Sequence, residues 1–169
     1  MKSILILLII LCLSSCANYE QRENKQETWI CKKEVAIKEK DGGHIAGNYS
    51  IGYVVMDGIL NREVHVKEFM KESFSSMKEY EEYMKFLQDS CFLQLGEDSR
   101  IKLIMPYYES DRIVYPYLIF DYTDLEKYTE TEVPTQVRTK DGKSIDFDLY
   151  WDYIQQNGVL DGFVCTLEK

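Results

Sequence analysis

Metal binding or catalysis in this 169-residue chain would have to come from five cysteines, two histidines and 29 acidic side chains. The histidines, His44 and His65, stand alone. Neither has a second His four residues away or a neighbouring Cys pair, the spacings that gather metal ligands on one side of an element. His44 follows the turn residues Asp41-Gly42-Gly43 and His65 lies in an alternating segment, so both are expected at the surface or half-buried. There is no Gly-x-Ser-x-Gly elbow, phosphate-cradling glycine loop or dinucleotide fingerprint. Asp141, Asp146 and Asp148 cluster, but Val137 and Thr139 stand where a calcium loop needs oxygen ligands ahead of Gly142. Asp146 suits a helix N-cap, where its carboxylate accepts backbone N–H groups and complements the dipole. No carboxylate pair is singled out for glycoside hydrolysis. The residue types therefore assign no catalytic residue, no metal ligand and no cofactor.

The aromatic residues are more informative. The chain carries 13 Tyr, 7 Phe and 2 Trp, and Tyr107, Tyr108, Tyr115, Tyr117, Phe120 and Tyr122 crowd one stretch. Tyr joins a rigid apolar ring to a hydroxyl, so exposed Tyr clusters suit protein contacts or sugar stacking. Along a strand, Tyr115 and Tyr117 share one face, with Val114 and Leu118 on the other, and are expected to pack across the sheet. Tyr107 and Tyr108 are expected in a loop with Glu109, Ser110 and Asp111. The candidate binding surface is Tyr107, Tyr108, Glu109 and Asp111.

Several elements must position these groups. Thr28 to Lys38, Tyr49 to Leu60 and Ile59 to Val66 read as strands joined by Asp41-Gly42-Gly43 and Asp57-Gly58, a meander. A helix is expected from about Met77 to Ser90, because Ser76 and Glu79 have capping-box spacing and Met77, Tyr80, Met84 and Leu87 share a face. A shorter turn is expected around Lys67 to Lys71. Arg100 to Met105 and Arg112 to Tyr122 read as strands, with Pro116 demanding a sheet edge or a bulge. Lys140-Asp141-Gly142-Lys143 marks a hairpin, Phe147 to Gln156 a helix closed by Asn157-Gly158, and Phe163 to Leu167 a last strand. The expected class is α+β, an antiparallel sheet with about two principal helices.

The N-terminus begins with Lys2, continues with an apolar run from Ile4 to Leu13, and ends in Ser14-Ser15-Cys16. That run is too short to span a bilayer, and small residues follow it, as in a secretory signal peptide. Leu13-Ser14-Ser15-Cys16 resembles the lipobox of bacterial lipoproteins. The resemblance covers the N-terminal segment alone. It implies cleavage between Ser15 and Cys16, a diacylglycerol on the Cys16 thiol and frequent acylation of the new amine. It also implies a lipid-anchored protein of the bacterial envelope. By resemblance to enterobacterial sorting rules, Ala17 rather than Asp after the cysteine implies the outer membrane, facing the periplasm or the surface. Residues 1–15 are thus expected to be the signal peptide and residues 16–27 the lipidated cysteine with a flexible tether. Residues 28–169 are expected to form one globular domain.

The formal net charge of −9 becomes one unit more negative when Lys2 leaves. Such a chain should avoid nucleic acid and suit a basic protein partner, apart from its contact with the membrane through Cys16. Size, charge and location together point to a non-catalytic binding module for a protein, for instance an immunity protein that occludes a toxin. The alternative is a carbohydrate- or ligand-binding accessory lipoprotein that uses the loop aromatics, and a hydrolase is the remoter one. Cys31, Cys91 and Cys165 remain after lipidation; they form one disulfide in any of three pairings, or stay as buried thiols.

Overall fold

The N-terminal half folds as the meander that its turn residues dictate. In the computed structural model, which describes residues 25–38, 44–94 and 104–168, β1 (Gln26–Lys38) pairs antiparallel with β2 (His44–Met56) along its whole length. Asp57 and Gly58 take φ of 52° and 80°, the left-handed pair that lets a two-residue hairpin follow strand twist. They lead into β3 (Ile59–Met70), which pairs with β2 on one side and with β5 on the other. This double pairing extends β3 through the segment expected to be a turn at Lys67 to Lys71. Only Lys71–Ser73 forms a short 3-10 turn. At Gly47 the strands β2 and β3 come so close that a Cβ would lie 2.3 Å from the Glu68 carbonyl oxygen. Gly47→Ala should therefore destabilise the protein by about 1–3 kcal/mol, read as a lower urea midpoint. An unchanged midpoint would show that the strands can part there at no cost.

The first helix, α1 (Met77–Gln94), runs one turn beyond the expected end. The Ser76 hydroxyl accepts from the Glu79 N–H at 3.2 Å, as its spacing implies, and the Glu79 carboxylate accepts from the Ser75 N–H and Oγ as well as interacting with the Ser76 backbone N–H. Tyr80, Met84 and Leu87 are its buried face, whereas Met77, expected with them, is exposed at the first turn. Tyr107–Glu109, expected in a loop, forms a short strand β4 because its backbone pairs with β5 (Arg112–Asp121) across a turn at Ser110 (φ 56°). The two-residue β6 (Ile145–Asp146) pairs with the start of β3. Asp146 then caps α2 (Phe147–Gln156), its Oδ1 accepting from Leu149 N–H at 3.2 Å, and Gly158 closes the helix at φ 69°. The edge strand β7 (Val164–Glu168) lies on β1.

The result is an antiparallel sheet of seven strands with two principal helices, an α+β fold. Its order is β4-β5-β3-β2-β1-β7, with β6 set beside β3. Cys31 and Cys165 stand directly opposite in the β1–β7 register and form a disulfide, which selects one of the three open pairings. The lipobox, Cys16 and the tether up to residue 24 lie outside the described residues. So do the Asp41-Gly42-Gly43 turn, residues 100–103 of an expected strand, and the side chains of His44 and Cys91.

Candidate functional site

Both helices sit on the same face of the sheet, at opposite ends of β2. Alternation along β2 puts Ile45, Gly47, Tyr49, Ile51 and Tyr53 on one face. At one end α1 packs its Tyr80, Met84 and Leu87 against Ile45, Phe69, Ile113 and Tyr115. At the other, Phe147, Trp151 and Ile154 of α2 pack with Trp29, Cys31 and Tyr53. Between them lies a strip in which Lys33, Tyr49, His65, Lys67, Tyr117, Phe120 and Phe163 are all half-buried. Register explains how they meet: Lys33 opposes Tyr49, and Tyr49 opposes Lys67, so the three form one row across β1, β2 and β3. His65 and Glu63 follow on the same face of β3, at the next alternate positions.

Pro116 shapes the far wall of the strip. Lacking an amide hydrogen, it cannot complete the ladder, and the pairing slips between His65 and Val66. Of the sheet edge or bulge that Pro116 called for, the structure takes the bulge, since β5 lies between β4 and β3. Tyr117 becomes the extra residue, and Leu118, which strict alternation would place with Val114, falls opposite His65. The Tyr117 ring then meets His65 at 6.0 Å, Tyr49 at 6.1 Å and Tyr115 at 5.8 Å between centroids. Phe163 closes on Tyr49 edge-on at 5.4 Å, and Phe120 on His65 at 5.7 Å.

Under the strip runs a chain of hydrogen bonds. Glu63 is 6% exposed, and its Oε1 lies 2.6 Å from His65 Nε2. Its Oε2 accepts from the Tyr150 hydroxyl at 2.6 Å and the Tyr122 hydroxyl at 3.2 Å. The Tyr49 hydroxyl lies 2.5 Å from His65 Nδ1. A carboxylate can only accept, so matching donors to acceptors puts the neutral ring's proton on Nε2 and leaves Nδ1 to accept from Tyr49. Burial, with the neighbouring Tyr117 hydroxyl, raises the Tyr49 phenol above its ordinary pKa. Burial and the Glu63 charge raise Tyr53, Tyr122 and Tyr150 in the same way. These phenols stay protonated at neutral pH. Tyr49 is thus a donor that fixes His65, the opposite of an activated nucleophile.

The residues picked out from sequence are distributed differently. Pairing with Val114 and Ile113 points Tyr107 and Tyr108 to opposite faces. Tyr107 packs with Val64, Val66, Val114 and Ile119 on the far face of the sheet. Tyr108 is 49% exposed and lies beside Tyr80 of α1, with centroids 5.4 Å apart. Glu109 binds Arg112 at 2.5 Å, and Arg112 also reaches the buried Glu68 at 3.2 Å. Asp111 is exposed and borders a surface hollow with Lys71, Phe74 and Met77. Among the described residues, no three His, Cys, Asp or Glu side chains gather as a metal site. The strip around His65 was missed because its members are read from five separate segments. The one local signal was Glu63-x-His65-x-Lys67, a polar stripe at strand period on a face otherwise bound for the core. Comparison of the chain with protein-family models, curated proteins and solved structures finds no match.

Proposed function

We propose that this chain is a lipid-anchored binding protein of the bacterial envelope, held through Cys16, that takes up a ligand without transforming it. The observation that carries the reading is the half-buried aromatic strip between α1 and α2, floored by Tyr49, His65 and Tyr117. Half-buried aromatic surfaces that carry a few fixed polar groups suit stacking and hydrogen bonding to a small ligand. The hydrogen-bond chain from Tyr49 through His65 to Glu63 supports binding: it spends its polar groups on one another and holds the rings rigid. The Cys31–Cys165 disulfide supports a compartment outside the cytoplasm, where such bonds persist. This favours the ligand-binding form of the envelope lipoprotein, with its site moved from the Tyr107–Asp111 hairpin to the strip.

A protein partner is the second reading. It draws on the net charge of −9, which would speed encounter with a basic protein, and on exposed Tyr108. An immunity role against a toxin is one version.

The anchor is tested by Cys16→Ser. The variant should leave the membrane fraction for the soluble one, since dual acylation is what makes such attachment stable. Persistence in the membrane fraction would overturn the anchor. The site is tested by Tyr117→Ala on a glycan array, where loss of binding with an intact fold is expected.

A further inference from the structure

We propose that the Lys33–Tyr49–Lys67 row binds the carboxylate of an acidic sugar unit, with the Tyr117, His65 and Phe163 rings flanking the sugar. The proposal rests on the ligand-binding reading above and names the class of ligand. Its basis is a local reversal of charge. The chain is strongly acidic, yet among the described residues no carboxylate makes an ion pair with Lys33 or Lys67. Arg112, on the opposite face, is served by two acids, Glu68 and Glu109.

The two lysines are held by rings instead. Lys33 Nζ lies 4.3 Å from the Phe163 centroid and 5.8 Å from that of Tyr49. Lys67 Nζ lies 4.4 Å from the Tyr117 centroid. Their Cα atoms are two strands apart, about 10 Å, which leaves one small group room to meet both ammonium groups. Both are half-buried, and burial lowers the Lys67 pKa, so an incoming anion would relieve a desolvated cation. Glu63, on the strip's face of β3, is already taken up by His65, Tyr122 and Tyr150.

Charge also sets the ligand's size. The chain's net charge of −9 disfavours a long polyanion, so the ligand is a short acidic sugar of one or two units. A sugar acid combines a carboxylate with C–H and hydroxyl groups suited to aromatic rings and phenols.

The test is calorimetric titration of the full-length lipoprotein in detergent micelles with digalacturonate, neutral galactobiose and a short glutamate peptide. Digalacturonate should bind, and galactobiose and the peptide should not. Lys33→Gln and Lys67→Gln should each weaken binding about tenfold, the loss of one charge-assisted contact, and added salt should weaken the native protein too. Near-UV circular dichroism should confirm that both variants keep their packing. Equal binding of galactobiose, preference for the peptide, no binding of digalacturonate, or affinity unchanged in both lysine variants would overturn the proposal. The broader reading fails separately: it falls if the array detects no glycan that depends on Tyr117.

Discussion

Replacing Cys31 and Cys165 together by alanine should lower the unfolding free energy by about 2–5 kcal/mol. The bond joins residues 134 apart, so its loss frees most of the domain in the unfolded chain, where longer loops carry the larger entropic effect. The native side loses as well. β7 is a five-residue edge strand whose residues are mostly exposed and whose pairing is with β1 alone. Without the covalent link it should fray first, and Phe163, just ahead of it, should loosen from Tyr49 and Lys33. The measurement is a urea titration of native and double-alanine protein, each with and without reductant. Reductant should bring the native midpoint down to that of the variant and leave the variant where it was. Coincident midpoints in all four samples would mean that the sheet holds β7 unaided.

Glu63→Ala should cost about 2–4 kcal/mol, the second large effect. The carboxylate is buried and accepts from three donors, His65 Nε2–H and the hydroxyls of Tyr122 and Tyr150. Alanine strands all three in a site that water reaches poorly, and it removes the side-chain links from β3 to α2 and to Tyr122, just past β5. Glu63→Gln should cost less, about 1–2 kcal/mol. Its carbonyl can serve both tyrosine hydroxyls while its amide NH₂ faces His65. The imidazole must then move its proton to Nδ1, accept at Nε2 and donate to the Tyr49 oxygen. Two readings check this: thermal midpoints rank the variants, and the ¹⁵N shifts of the His65 ring report the tautomer. Equal midpoints for native protein and Glu63→Ala would show that the network holds nothing together.

Local physics made much of the fold legible in advance. Asp57-Gly58, Asp146, Asn157-Gly158 and the spacing of Tyr80, Met84 and Leu87 each act within a few residues, and each formed the element its chemistry requires. Pro116 was legible as a break in a strand, and it became the bulge that turns Tyr117 into the strip. What could not be read was assembly. His65 meets Tyr49 sixteen residues away, while Glu63 meets Tyr122 at 59 and Tyr150 at 87. Such contacts depend on register and strand order, which no short window carries. The same holds for the cysteines: only the β1–β7 register sets Cys31 opposite Cys165. Tyr107 and Tyr108 show the converse, since a run of neighbours in sequence was divided between two faces once the segment became a strand.

The most direct test of the binding face is magnetic-resonance mapping of the full-length protein in micelles during titration with digalacturonate. The ring resonances of His65 and Tyr117 and the Nζ signals of Lys33 and Lys67 should shift and saturate together, while those of Tyr108 and of Phe86, an exposed ring on α1, stay fixed. Shifts confined to Tyr108 and the outer side of α1, or no saturable shift in the strip, would contradict the account.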